Sequence, residues 1–286
     1  MKYLYYPGCS LEGTAREYDH ATRALLGALD VELVEIEGWT CCGASAAEGQ
    51  SELLSIALPA RNLALAEAMD EKAADILVPC SACYLNLKRA AEETAKEPAL
   101  LSKVNAALEP EGLVLRGKKR VRHLLDVLTT DIGAAELAAR VRTGMDAYTV
   151  APYYGCQCLR PYVVFDDPEA PTSMEPLLLA TGAAVHEWHM AAQCCGASLM
   201  NIRPEIAREM VAAILSGARG ADAIVTVCPM CQMNLEGYQN AVSRAAGRDL
   251  HQAIVYLPQF LGLALGLSPA DLSLDLNLSG VSAFVS

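Results

Sequence analysis

Cysteine is the residue in this chain with the clearest chemistry, because its eleven copies are ordered along the sequence. They fall as Cys9, Cys41-Cys42, Cys80 and Cys83, and again as Cys156, Cys194-Cys195, Cys228 and Cys231, with Cys158 left over. Each set reads as a single cysteine, an adjacent pair and a CxxC. Cys9 and Cys156 lie 147 positions apart, Cys42 and Cys195 lie 153 apart, and Cys83 and Cys231 lie 148 apart. The neighbours repeat as well. Cys41-Cys42-Gly43-Ala44-Ser45 recurs letter for letter as Cys194-Cys195-Gly196-Ala197-Ser198. Tyr5-Tyr6-Pro7-Gly8-Cys9 answers to Tyr153-Tyr154-Gly155-Cys156, and Asn86-Leu87 and Asn234-Leu235 each follow a CxxC. The chain is one unit written twice.

Thiolates at this density suit zinc or iron–sulfur clusters. A structural zinc takes four ligands, whereas each half offers five. Two adjacent cysteines are awkward on one tetrahedral ion. They are natural on a multi-iron cluster, where each sulfur reaches a different iron. Zinc stays open as the rival, since the ligand types alone do not decide. Cys80 and Cys83 fall in what reads as the first turn of a helix, so both sulfurs share a face. Cys228-Pro229-Met230-Cys231 repeats this, with proline at a favoured early helical position. The free N–H groups and positive end of such a helix stabilise thiolates and an anionic cluster. Gly43 and Gly196 let the backbone approach behind each cysteine pair.

These ligands need a frame. Lys2–Tyr6, Val31–Ile36 and Asp75–Val78 are short apolar runs of strand length, with helical patterns near Ala15–Leu29 and Glu52–Lys72 between them. The second half repeats the order, with strands near Tyr148–Tyr154, Ala183–Glu187 and Ala223–Val227 and helices near Glu175–Thr181 and Pro204–Ser216. This alternation predicts an α/β fold of two pseudo-symmetric repeated domains, each a small parallel sheet flanked by helices. The cysteines then sit where strands end, which is where open α/β sheets place ligands. The domains are expected at 1–145 and 146–286. The stretch from Glu97 to Arg142 has no evident counterpart and reads as a helical bridge.

With 286 residues the chain can bury a real core without help from metals or disulfides. Its net charge of -12 repels a phosphate backbone, which argues against nucleic-acid binding. The first residues show no signal-peptide apolar core. The longest apolar stretch, Ile254 to Leu267, is broken by Pro258 and Gln259 and is shorter than a membrane-spanning helix requires. The expectation is therefore a soluble, cytoplasmic protein that does not span a membrane, with that stretch as a candidate docking surface. In a reducing compartment, clustered cysteines are metal ligands or redox groups more often than disulfides.

The Cx(n)CCGx(n)CxxC pattern resembles the CCG-type cysteine-rich domain. Two copies with no other module resemble the catalytic B subunit of the heterodisulfide reductases. Tyr153-Tyr154-Gly155-Cys156-Gln157-Cys158-Leu159-Arg160-Pro161 is similar to that family's second-half signature. The resemblance implies two noncubane [4Fe-4S] clusters facing each other across a cleft. The first would use Cys9, Cys41, Cys42, Cys80 and Cys83, and the second Cys156, Cys194, Cys195, Cys228 and Cys231. It implies an enzyme that cleaves or forms disulfide or sulfane-sulfur bonds. It further implies a ferredoxin-like C subunit as electron partner, with a flavin-containing A subunit upstream of it. The substrate it implies is a free disulfide or a sulfur-carrier protein. The bacterial sulfur-oxidising heterodisulfide-reductase-like complexes belong to the same resemblance. The gap between Cys195 and Cys228 is five residues shorter than that between Cys42 and Cys80, which leaves the form of the second cluster open.

No CxxCxxCxxxCP run and no GxGxxG fingerprint is present, so the chain has no evident means of taking electrons from a nicotinamide itself. His186, His189 and Tyr154 are candidates for supplying a proton to a leaving thiolate, against the plainer reading that they pack and hydrogen-bond locally. Cys158 reads as a small buried apolar group, and Arg160 as a charge beside the second cluster or a contact for an anionic substrate. Two other functions compete: an electron-transfer CCG subunit of a quinone- or hydroxyacid-linked oxidoreductase, and a zinc-stabilised interaction module.

Overall fold

The short apolar runs become parallel strands. β1 (Lys2–Tyr5), β2 (Glu32–Glu35), β3 (Ile76–Val78) and β4 (Val121–His123) form one sheet in the order β2-β1-β3-β4. β5 (Thr149–Tyr153), β6 (Ala184–Val185), β7 (Ala223–Thr226) and β8 (Ala253–Tyr256) form a second in the order β6-β5-β7-β8. All six pairings within these sheets are parallel. Parallel neighbours need crossovers, and helices supply most of them. In the first half these are α1 (Cys9–Glu12), α2 (Arg16–Ala28), α3 (Glu52–Ala68), α4 (Ser81–Lys96), α5 (Pro98–Leu108), α6 (Leu124–Val127) and α7 (Gly133–Arg140). In the second they are α8 (Glu175–Leu179), α9 (Pro204–Gly217), α10 (Pro229–Gly237), α11 (Gln239–Ala246) and α12 (Leu257–Ala264). This computed structural model describes residues 1–44, 46–69 and 74–281. Ser45 of the repeated motif and the expected helix end at Lys72 lie outside them.

The six expected strands are present, each trimmed at one or both ends. Two strands were not expected. The stretch from Glu97 to Arg142 is not a helical bridge throughout. It carries α5, α6 and α7, but also β4, which pairs with β3 and completes the first sheet. Its place in the fold follows from burial: Val121 and His123 are both buried, and only Arg122 between them faces out, where it meets Asp126 and Asp131. The Ile254–Leu267 stretch is likewise not an open docking surface. It supplies β8 and α12, and α12 packs on α2 of the first half.

That contact joins the halves. Leu25 and Leu26 of α2 and Phe260 and Leu261 of α12 belong to one apolar core that also takes in both sheets. Burying four such side chains contributes roughly 1.5–3 kcal/mol each. The Tyr18 ring lies flat on Tyr256, with centroids 4.1 Å apart and planes 2° apart. The pseudo-symmetric contact places Phe165, 147 positions after Tyr18, parallel to His123, with centroids 6.3 Å apart. His123 and Tyr256 are the last residues of β4 and β8.

Candidate functional site

In both sheets the first strand lies between strands reached in opposite directions, so a crevice opens beyond the carboxyl ends of β1 and β3, and of β5 and β7. The cysteines gather there. Cys9 follows β1, Cys41-Cys42 lie on the extended segment after β2, and Cys80 and Cys83 bracket the start of α4. Cys156, Cys194-Cys195, Cys228 and Cys231 take the same places after β5, β6 and β7. The first cysteine of each CxxC is the N-cap residue of its helix, Cys80 for α4 and Cys228 for α10, at the end that carries the free N–H groups, and the Met230 and Cys231 N–H groups reach the Cys228 sulfur.

The sulfurs meet. Cys9 Sγ is 3.5 Å from Cys41 Sγ, and Cys42 Sγ is 3.4 Å from Cys83 Sγ. In the second half Cys156 contacts Cys194, and Cys231 contacts both Cys195 and Cys228. Hydrogen bonding with Cys41 and Cys83 holds Cys42 below the usual thiol range. A bond from Cys156 lowers Cys194, and one from Cys231 lowers Cys228. Their partners are pushed the other way: Cys41 and Cys83 by their bonds with Cys42, Cys156 by its bond with Cys194, and Cys231 by its bond with Cys195. Five crowded thiols cannot all ionise without a compensating multivalent cation. Among the described residues no group of three or more His, Cys, Asp or Glu side chains is disposed to hold one metal ion. A five-thiol set exceeds the four ligands of a structural zinc and fits a multi-iron group.

The backbone is shaped to the sulfurs. Gly8 and Gly155 both have positive φ, +75° and +69°. A Cβ at Gly8 would lie 2.7 Å from Cys83 Sγ, and one at Gly155 would lie 3.0 Å from Cys231 Sγ. Gly43 N–H donates to Cys41 Sγ and Gly196 N–H to Cys194 Sγ, each at 3.4 Å. Tyr6 donates to the Thr40 carbonyl and Tyr153 to the Gln193 carbonyl, each at 2.7 Å, just before each cysteine pair. Tyr153 is therefore the counterpart of Tyr6. Asn86 donates to the Cys42 carbonyl at 3.3 Å and Asn234 to the Cys195 carbonyl at 2.7 Å. The repeat flagged these asparagines, and the structure supplies their work.

Tyr154 lines the cavity of the second set of sulfurs, but its polar contacts, like those of His186, are made away from them. The Tyr154 hydroxyl donates to the Glu175 carboxylate and accepts from Met174 N–H. His186 Nε2 pairs with the Gly217 carbonyl, and His189 is exposed on a surface cleft beside Trp188. Arg160 binds Glu169 and the Ala192 carbonyl, and its charge helps to lower Cys194. Cys158 is buried and donates to the Tyr154 carbonyl; burial pushes its thiol up to about 12. Sequence reasoning missed Tyr18, Ser81 and His123. Only the aromatic match of Tyr18 to Phe165 at the cysteine offset signalled one of them.

The halves differ in access. Cys9 and Cys41 are exposed, whereas Cys156 and Cys194 are half-buried. Where α2 follows the first cysteine in the first half, the second half has an irregular stretch, 157–174, leading to the short α8.

The CCG cysteine-rich domain model matches residues 3–88 and 150–236. The 8-methylmenaquinol:fumarate reductase membrane anchor subunit of Wolinella succinogenes is 34% identical over 97% of this chain and 96% of its own length. The B subunit of the ferredoxin/F420H2-dependent CoB-CoM heterodisulfide reductase of Methanosarcina acetivorans is 31% identical over 96% of this chain and 93% of its own. A protein of Archaeoglobus profundus described as like the heterodisulfide reductase B subunit is 29% identical over 94% of this chain and 92% of its own. A crystal structure of a hypothetical protein from Helicobacter pylori shares the fold, with a TM-score of 0.79 at 18% identity over 98% of this chain and 52% of that one. Among the described residues no helix is long and apolar enough to cross a membrane.

Proposed function

The chain belongs to the CCG cysteine-rich family, among the two-domain proteins that include the B subunits of heterodisulfide reductases, and from that premise we propose that it is the iron–sulfur subunit of a multi-subunit complex that breaks or forms sulfur–sulfur bonds. The observation that carries this reading is the five-thiol cradle at each crevice, closed behind by Gly8 and Gly155. Cys9, Cys41, Cys42, Cys80 and Cys83 would hold one noncubane [4Fe-4S] cluster, and Cys156, Cys194, Cys195, Cys228 and Cys231 the other. Bound there, such clusters supply single electrons, two of which together reduce a disulfide.

The chain's own groups prepare the site for that work. Gly43 and Gly196 N–H groups and the first turns of α4 and α10 stabilise thiolate charge, while Asn86 and Asn234 fix the backbone of each cysteine pair. Tyr154 and His186 already have partners and His189 lies on a separate surface cleft, so the proton that a released thiolate needs is assigned to solvent at the open first half-site. The electron partners are a ferredoxin-like subunit and, upstream of it, a flavin subunit. The substrate is a disulfide or a sulfur-carrier protein.

One comparison favours a second reading. The 34%-identical Wolinella relative is named as part of a quinol:fumarate reductase, which fits an electron-transfer CCG subunit without direct disulfide chemistry. Two measurements on anaerobically purified complex separate the readings. Iron and acid-labile sulfide near eight each per chain are expected for two four-iron clusters, roughly as that cluster type requires; zinc without sulfide overturns both readings. Turnover with disulfides but not quinols supports sulfur chemistry, and the converse supports the second reading.

A further inference from the structure

The two CxxC turns are tied to each other across the pseudo-two-fold axis. The Tyr18 hydroxyl lies 3.0 Å from the Pro79 carbonyl and 3.0 Å from the Val227 carbonyl. These carbonyls are equivalent, each one residue before the first cysteine of a CxxC, Cys80 or Cys228. A single buried hydroxyl thus serves both halves. Ser81, directly after Cys80, reaches the same place, its Oγ donating to the Val227 carbonyl at 3.1 Å. His123 Nδ1 accepts from Leu125 N–H at 3.2 Å, which leaves its proton on Nε2, 3.2 Å from Ser81 Oγ and within reach of the Pro79 and Val227 carbonyls. Burial keeps this imidazole neutral. His123 and the Ser81 hydroxyl thus converge on the carbonyls that Tyr18 meets, Ser81 donating to the Val227 carbonyl of the other half. Ser81 also lies against the sulfurs of Cys228 and Cys158. Tyr18, Ser81 and His123 are buried.

This arrangement does more than bury polar groups. Two carbonyl oxygens that face one centre repel each other unless a shared donor stands between them. The donor fixes how far apart they sit, and through one peptide each it fixes Cys80 against Cys228. We propose that Tyr18 and Ser81 are positioning residues whose hydroxyls clamp the two CxxC turns across the axis and so set the electronic coupling between the two half-sites.

The inference rests on the two-cluster reading, and its test separates the two. Wild type, Tyr18→Phe, Ser81→Ala and Ser81→Thr are purified anaerobically and assayed for iron and sulfide, midpoint potentials and the spin–spin interaction between centres by electron paramagnetic resonance. Tyr18→Phe keeps the ring stacked on Tyr256 and removes only the hydroxyl. The expected result is full iron content with a changed spin–spin interaction and a changed gap between the two midpoint potentials in Tyr18→Phe and Ser81→Ala. Ser81→Thr, which keeps a hydroxyl, restores the wild-type signals. Full iron with wild-type coupling and potentials in both hydroxyl-deleted variants overturns the clamp and leaves the two-cluster reading standing. Wild-type protein with iron for one cluster or none overturns that reading and the clamp with it.

Discussion

The Asn234 side-chain amide donates to the Cys195 carbonyl at 2.7 Å, from α10 to the segment that bears the cysteine pair. This bond sets the separation of Cys195 from Cys231 on the same helix. Asn86 makes the longer equivalent bond to the Cys42 carbonyl at 3.3 Å and also lies 3.7 Å from Cys42 Sγ. Asn234→Ala should therefore cost the second site its metal while the first stays loaded. It should also cost about 1–2 kcal/mol of stability in the metal-free protein, because a buried carbonyl loses its donor. Iron per chain and urea denaturation of the metal-free protein read the two effects, and unchanged iron would refute the tethering role.

Gly8→Ala and Gly155→Ala each drive a methyl group against a cysteine sulfur, Cys83 or Cys231, at a backbone with positive φ. Each should strip iron from its own half only, at a backbone cost of roughly 1–3 kcal/mol. Cluster spectra of the two single variants should then be complementary. Identical spectra would mean that the glycines do not shape separate sites.

Thiol alkylation should be ordered by access. In metal-free protein Cys9 and Cys41 should react first with iodoacetamide and Cys80, Cys83, Cys228 and Cys231 last, because the former pair is exposed and the latter four are buried. Reconstitution with iron and sulfide should protect the ligand cysteines in both halves. Peptide mass spectrometry follows each position. Early labelling of Cys156 ahead of Cys9 would contradict the difference in access.

Glu17 on α2 and Glu236 on α10 repel each other, and burial with that repulsion raises Glu17 to about 7. A carboxyl raised above its unfolded value is bound more tightly by a proton in the folded state. Its contribution is fully present below about pH 4.5 and is lost as pH rises to about 7. Glu17→Gln should leave stability unchanged near pH 4 and raise it by ~1–3 kcal/mol above pH 7. Thermal melts at both pH values decide it, and an equal gain at pH 4 would rule out the linkage.

Much of this was legible in the sequence for a simple reason. The cysteines and the glycines behind them recur as the same letters at nearly the same offset, so the two halves read alike. β1, β3, β5 and β7 were legible because central parallel strands are buried on both faces and read as unbroken apolar runs. β4 was hidden because its three residues include Arg122 and His123. β8 was hidden because Ala253–Tyr256 runs straight into apolar α12, with no polar punctuation between them. The partners of Tyr154 and His186 were beyond the sequence, since Glu175 and Gly217 are set by tertiary packing. Tyr18 was beyond it for another reason: its role arises from lying equally near two equivalent carbonyls, which no local pattern records.

Tyr18 also bears on ancestry. In a symmetric pair of identical chains, any side chain at the axis comes twice, and two hydroxyls would contend for the place that one now fills. Here the first copy carries Tyr18 and the second carries Phe165 at the same offset. Such a division of labour is closed to identical chains and open to two copies that can drift apart, as in this single polypeptide. A version of this protein split back into one repeated half would have to choose between two tyrosines at the axis and none.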